Sequence, residues 1–471
     1  MYGYPNITRL VLIGIFLSGC MEVRTPTDPA SMLLPEVPSG NEEPELIEYL
    51  QLLHDEVLQA TTEGEPRGRL AMAYDVNGFH ERAITVYGQA ANLSRDEFNW
   101  PYFQALLVAR INNDYARALA LLESAIDIDD TYVPAWLSQG AWLRELDRME
   151  EALAAYERAT DMGAGAPATV GIAHVLLSES EFEQAKNVLE ALNQKTPDPR
   201  IEALLARAYR ALGRDDDARI ASARGSLATS AMQWMDPKLA IQAEHIAGFS
   251  NRLLHAQNLI QVGRQNVALP VAEALFLERP KDIAVINTLV WANAALERFE
   301  KAKSILRDGL ALYPDEPRFH QLMANVFLQE GNQDSGRYHL ERVTELDAEN
   351  ARALEDLGWL IARQGETEAG VAFLEKALDS GAKEPKQVLY RLGLLDGGAG
   401  RWSEAADRFR DATRIDASFT MAYVHLARCL AEAGNLDEAK AALDWADRIG
   451  SHRNARASAR RRLNDLENGL L

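Results

Sequence analysis

The chain has 471 residues, 47% of them hydrophobic and 25% charged, and carries a formal net charge of −21 with a pI near 5.0. Long-range repulsion therefore opposes nonspecific binding to DNA or RNA. A chain this long ordinarily divides into several globular domains, unless it grows by adding repeats along one axis.

At the N-terminus, Arg9 precedes an apolar run, Leu10 to Leu17, which is too short to span a bilayer. The run ends in Leu17-Ser18-Gly19-Cys20, which resembles the lipobox of bacterial lipoprotein precursors. The resemblance implies a signal peptide over 1–19 and a mature chain that starts at a diacylglycerol-bearing Cys20. An ordinary cleaved signal, or a buried strand with an incidental cysteine, is the alternative. Met21 follows the cysteine where inner-membrane retention in enterobacteria uses aspartate, so the resemblance implies the outer membrane, facing the periplasm. With Cys20 acylated, only Cys429 is left, and it is expected to pack as a small hydrophobe. Prolines interspersed with Thr, Ser, Gly and Glu then predict an unfolded tether over 20–44.

Glu45 to Ala60 reads as an amphipathic helix, with Leu46, Tyr49, Leu50, Leu53 and Val57 on one face. It would cap the open end of a helical array. A small residue then recurs at one helical position: Ala83, Ala118, Ala152, Ala185 and Ala218, followed by Ala268, Ala302, Gly336, Gly370, Ala405 and Ala439. The steps are 33 to 35 residues long, except for one of 50 between Ala218 and Ala268. Four residues after the small one stands a large apolar residue, such as Tyr87, Leu122, Tyr156, Leu306 or Phe409, one turn further along the same face. A glycine commonly stands five residues before it, as at Gly78, Gly213, Gly331 and Gly434, where one helix must end before the next begins.

This spacing resembles the tetratricopeptide repeat. Trp136, Gly140, Leu143, Ala152, Tyr156 and Ala159 carry the family pattern most closely, with Leu357, Gly358, Gly365, Leu374 and Ala377 next. The resemblance runs over residues 64–452 and implies an all-α, right-handed superhelical solenoid of about eleven helix hairpins in two arrays. The first array, with the capping helix, covers 45–225 and the second 249–452. Between them lies an irregular insertion, 226–248, containing Trp234-Met235-Asp236-Pro237, which forms either a distorted helix or a loop. Ser222 and Gly225 weaken the second helix of the fifth unit, and Asp396 replaces an apolar residue in the tenth, so distortion is expected in both. Residues 453–471, rich in arginine, read as a C-terminal capping helix or a patch for an anionic partner.

In proteins with this repeat the first helix of each hairpin lines a concave groove. Carried over position by position, the resemblance selects Trp100, Phe103, Arg110, Arg144, Arg207 and Arg210 in the first array, together with His174 and Arg200. Arg110, Arg144 and Arg210 share one position and form either a basic rail for carboxylates or salt bridges with neighbouring acids. In the second array it selects Asn287, Trp291, Arg318, Gln321, Asn325, Trp359 and Tyr390. The amides suit a peptide backbone and the aromatics an apolar anchor. Trp291 and Trp359 as core residues are the alternative.

No metalloprotease helix, phosphate loop, nucleophile elbow or haem attachment pair is present, and the nine histidines are scattered singly. Neither an enzymatic activity nor a cofactor or metal is expected. The functional expectation is a lipid-anchored periplasmic scaffold whose groove binds an extended segment or helix of another envelope protein. Cell-wall, pilus and export complexes all fit. A glycan-binding or activating subunit of a cell-wall enzyme, or a cytochrome maturation helper, is the alternative. Oligomeric state is left open by the residues.

Overall fold

A computed structural model describes residues 32–40, 42–226, 236–450 and 452–468. All regular structure among them is α-helical. Helix α1 (Pro44–Gln59) precedes five hairpins: α2 (Gly64–Val76) with α3 (His80–Leu93), α4 (Asn99–Asn112) with α5 (Tyr115–Ile126), α6 (Val133–Glu145) with α7 (Met149–Asp161), α8 (Ala166–Ser178) with α9 (Phe182–Lys195), and α10 (Pro199–Ala211) with α11 (Asp215–Gly225). The short α12 (Lys238–Ala243) comes next. Six more hairpins are α13 (Phe249–Gln261) with α14 (Gln265–Glu278), α15 (Ile283–Ala295) with α16 (Phe299–Leu312), α17 (Pro317–Gln329) with α18 (Gln333–Leu346), α19 (Ala351–Arg363) with α20 (Thr367–Asp379), α21 (Pro385–Gly398) with α22 (Trp402–Ile415), and α23 (Thr420–Glu432) with α24 (Leu436–Ile449). Helix α25 (Arg453–Glu467) packs on α23 and α24. The eleven hairpins are the eleven units of the sequence register, stacked as a right-handed solenoid.

The register has a direct physical basis. Every small marker residue is buried, because the two helices of a hairpin cross there. In the ninth unit a Cβ on Gly370 would meet the Gly358 carbonyl oxygen at 2.6 Å, so the two backbones touch. The turn residue five positions before the marker is left-handed in all eleven units. Seven are glycines, and Asn113, Asp147, Ser180 and Glu297 take the same conformation with φ of 50 to 63°. Glu297 is the poorest fit, since its longer side chain offers no local hydrogen bond to offset the Cβ clash. Glu297→Gly is expected to stabilise the protein by about 0.5–1 kcal/mol, read as a higher denaturant midpoint with an unchanged slope.

The two expected distortions have different outcomes. Helix α11 is the shortest hairpin helix, with 11 residues, but its Gly225 is required: a Cβ there would lie 2.7 Å from the Ala203 backbone nitrogen. The tenth unit is not distorted. Asp396 is buried and held by Arg401, whose Nε and Nη2 donate to it at 3.0 and 2.7 Å, and α21 runs its full 14 residues. The ion pair substitutes for the missing apolar contact.

Tether and caps also show more order than composition suggests. Residues 33–38 lie along α3: the Leu33 carbonyl accepts from Gln89 Nε2 (2.9 Å), the Glu36 carbonyl from Arg82 Nε (3.0 Å), and Pro38 is buried. Leu34 and Val37 pack on the core, an apolar gain that a composition rich in proline conceals. Helix α1 buries Leu46, Leu50, Leu53 and Val57 as expected. In α25, Arg456, Arg460 and Arg462 are ion-paired to Asp447, Asp444 and Glu432, so this arginine-rich end serves as a cap. Cys429 is buried, and burial pushes its thiol up to about 11.

Two long-range contacts close the solenoid on itself. At one end, Glu43 accepts from the Ser250 hydroxyl (2.6 Å), and Asn77 Oδ1 from Asn251 Nδ2 (3.0 Å) and the Ala247 amide (2.9 Å). At the other, Arg224 donates to the carbonyls of Ile449 (3.0 Å) and Arg448 (2.6 Å), and Arg448 faces Asp216 at 3.6 Å. The arrays are thus two arcs that both start beside α1 and both finish beside α11 and α24.

A histidine pair in the eighth unit gives the fold a pH dependence. His320 Nε2 lies 3.0 Å from the Pro314 carbonyl and must donate to it, which leaves Nδ1 as an acceptor for His339 Nδ1 at 2.9 Å. Burial, and then the neighbouring His320, push His339 down to about 4. Because its folded pKa lies below the unfolded one, this histidine lends its full stability above about pH 6.5 and loses it as pH falls toward 4. The melting temperature should therefore fall between pH 7 and 4.5. His339→Phe, which keeps the stacking on Phe327, should make that fall shallower; an equal fall would refute this assignment.

Candidate interaction grooves

The concave face of the first arc is already occupied in part. The chain between the arcs returns over the first helices of units one to three as a strap, residues 236–247. Asp236 opens it, accepting hydrogen bonds from the hydroxyls of Tyr102 (2.6 Å) and Tyr132 and from the Lys238 amide (3.0 Å) at the start of α12. A carboxylate at that place caps the helix and complements its dipole. Burial, followed by the Asp236 charge, holds the Tyr102 hydroxyl well above the usual tyrosine range. Lys238 lies over the rings of Phe98 and Tyr132 at 4.9 and 5.0 Å and donates to Asn99 Oδ1. One turn on, Gln242 Nε2 donates to Asp75 Oδ2 (3.1 Å) and to the Tyr87 hydroxyl (3.0 Å). The strap ends with the His245 carbonyl on Asn77 Nδ2 (2.8 Å) and the His245 ring on the Tyr49 hydroxyl (2.7 Å). The insertion is therefore an internal ligand of the groove from Asp236 onward. Trp234 lies outside the described residues.

Beyond the strap the first groove continues as a cavity of about 910 Å³, walled by Leu106, Leu137, Trp142, Tyr156 and Val170 with Arg110, Arg144, Arg200 and His174 at its polar edge. The basic rail does not form. Arg110 is turned back on the buried Asp75, Arg144 pairs with Glu145 at 2.7 Å, and Arg210 faces a different cleft. Arg207 is exposed near His174, which burial and then Arg144 and Arg207 push down to about 4. Trp100 and Phe103 are not groove residues. Both are buried, the Trp100 ring lying where a Gly68 Cβ would be and Phe103 packing against Tyr87. Helix α4 is apolar on nearly every side, because α2, α3 and α5 cover one side and the strap approaches the other, so repeat position alone misassigns its faces.

In the second arc the expected residues fall into three groups. Trp291 is 51% exposed and, with Asn325, Leu322, Arg352 and Asp356, lines a recess of about 370 Å³. Gln321 Nε2 donates to Asn325 Oδ1 (3.2 Å), while Gln321 Oε1 and Asn287 Oδ1 are buried without a hydrogen-bond partner among the described residues. Arg318 is exposed at the start of α17. Trp359 is half-buried beneath the Arg391 guanidinium, 5.5 Å away, which also pairs with Glu355. Tyr390 is packed between units against Phe409, Phe419 and His425, closer to core than to groove. Sequence reasoning missed Tyr102, Tyr132, Asp236 and Gln242. The Asp236-Pro237 step, a helix-start signal inside the insertion, could have found the strap. Cys20 lies outside the described residues. Among those described, no three His, Cys, Asp or Glu side chains are grouped to hold a metal ion, and no helix is long and apolar enough to cross a membrane.

Stacked hairpins with an open concave surface define a repeat solenoid of the protein-interaction class. Models of the tetratricopeptide repeat match residues 143–208, 259–326 and 398–463 in one form and 107–167 and 322–385 in another, together more than half of the chain. The chain belongs to the tetratricopeptide-repeat family. Solved structures with a similar fold include YrrB, a TPR protein with an unusual peptide-binding site (16% identity, covering 40% of this chain and 97% of that one, TM-score 0.36). Others are Pseudomonas aeruginosa PilF (21%, 39% and 91%, 0.34) and yeast Tom70 (12%, 90% and 96%, 0.38). No curated protein matches the chain.

Proposed function

We propose that this protein is a lipid-anchored scaffold of the bacterial envelope that holds a helix or extended segment of another envelope protein, assisting assembly of a cell-wall, pilus or export complex. Anchoring rests on the lipobox-like Leu17-Ser18-Gly19-Cys20. One observation carries the binding role: the first groove already holds a short helical segment of its own chain by a capped carboxylate, a buried amide and backbone contacts. The second arc offers an equivalent surface that no described segment covers. Its exposed Trp291 suits an apolar anchor, and the Asn325 amide in the same recess suits a peptide backbone.

The test is photo-crosslinking in the native bacterium with a photoreactive residue at Trp291, against a control at exposed Ser304 on α16. Capture of one envelope protein at 291 and not at 304 is the expected result. Equal adducts at both positions would refute the groove as the partner site. Cys20→Ala is expected to release the protein from the membrane fraction, and retention of the variant would refute the anchor.

A further inference from the structure

The far end of the first arc meets the second around a cleft of about 630 Å³. Five basic side chains line it. Arg210 and Arg219, from α10 and α11, form one lip; Lys383, Lys386 and Arg414, from the loop before α21, from α21 and from α22, form the other. This concentration stands out in a chain of net charge −21. Of the two carboxylates in the lining, Asp416 is engaged by Lys386 Nζ (2.9 Å) and by the amide and hydroxyl of Ser418. Glu384 stands 4.0 Å from Lys386. Arg219 and Arg414 pair with Asp216 and Asp411 on their own helices. Arg210 and Lys383 have no ion pair among the described residues. Residues 227–235, which come after α11, contain no acidic side chain that could neutralise them.

Like charges on opposing lips push a seam apart, and here the seam is where the two arcs close. It is held by the Arg224 and Arg448 contacts and by Ser226 Oγ on Ser418 Oγ at 3.3 Å. An anion between the lips reverses the sign of this electrostatic contribution, because each lip then faces an opposite charge. Guanidinium forks and ammonium groups approaching from two sides match an anion with oxygens at both ends. We propose that this cleft binds a small, multiply charged oxyanion of the polyphosphate or polycarboxylate class, which bridges the arcs and favours the closed form. The site is separate from the grooves and does not depend on their partner.

The test is calorimetric titration of pyrophosphate, and in a second arm citrate, into the full-length protein at low ionic strength. Whichever anion class binds, Arg210→Ala combined with Lys383→Ala is expected to weaken it about tenfold or more. The ligand-free melting temperature should not fall, since neither side chain has an ion pair to lose among the described residues and their removal relieves repulsion across the seam. Arg453→Ala with Arg461→Ala removes equal charge elsewhere and should leave affinity unchanged. Labels at Ala211→Cys and Ala441→Cys should report a narrower distance distribution when the anion is added. Lys383→Gln, in an exposed loop, serves as a second variant should the double one melt early, and is expected to weaken binding about threefold. Tighter binding of citrate than pyrophosphate would assign the carboxylate class, and the reverse the phosphate class. The proposal is overturned if neither anion binds the wild type at about 5 mM, or if the Arg453 and Arg461 control loses as much affinity as the cleft variants.

Discussion

Asp236→Ala is expected to free the strap from the first groove. The carboxylate accepts from two tyrosine hydroxyls and from the first amide of α12, so its loss removes two charge-assisted hydrogen bonds and a helix cap together. Tyr102 is buried among Phe98, Phe103 and Tyr132, and the neighbouring Ser138 hydroxyl is a weaker acceptor than the carboxylate it would replace. Charged hydrogen bonds contribute about 1.5–3 kcal/mol each and a cap about 1, with overlap between them, so a cost of about 3 kcal/mol is expected. Because α12 has only six residues, the cost should appear first as local opening. Amide exchange over 238–247 should accelerate by about two orders of magnitude while exchange in α15 to α20 stays unchanged. Tyr132→Phe, which removes one donor and leaves the cap, should give a smaller effect. Unchanged exchange over 238–247 in the alanine variant would mean that Gln242 and Asn77 hold the strap without it.

The second large effect is expected at Tyr156, whose ring is lodged between two glycines of neighbouring units. A Cβ on Gly140 would stand 2.8 Å from Cε1 of the ring, and one on Gly171 2.5 Å from Cδ1 and Cζ. Both glycines are thus space for the ring, which packs between units three and four. Tyr156→Ala should cost about 3–5 kcal/mol through the cavity it leaves. Gly171→Val should cost about 3 kcal/mol by overpacking the same place. These costs share one cause, so they should not add: Tyr156→Leu is expected to recover at least half of the loss from Gly171→Ala in a double-mutant cycle read by urea denaturation. Strict additivity would place the strain elsewhere.

The repeat fold was legible because each unit solves the same packing problem with the same residues. The small marker marks a helix crossing, the residue five before it a left-handed turn, and the residue four after it a contact along the same face. Where the identity changes, as at Asn113 or Glu297, the conformation persists, because neighbouring units impose it. The grooves were less legible. Trp100 and Phe103 belong to the same set of groove positions on α4 as Arg110, yet their faces are decided by what packs on α4 from outside the repeat, and that is a long-range contact. Trp291 stays exposed, since α15 has no strap beside it among the described residues. The far lip of the cleft that Arg210 faces, and the Gln242 that reaches Asp75, lie far away in sequence, which periodicity within one unit does not encode.

Closure of the two arcs changes how the molecule answers force and how it is made. An open solenoid behaves as a spring, each coil yielding to its neighbour alone. Here Arg224 grips carbonyls 224 and 225 residues further along the chain, so a load on one arc is shared by the other, as in a hoop. The same clasp raises the sequence separation of contacts at the seam, and with it the entropy lost on closing. During synthesis the first arc must wait, its end unpaired, until α24 has left the ribosome.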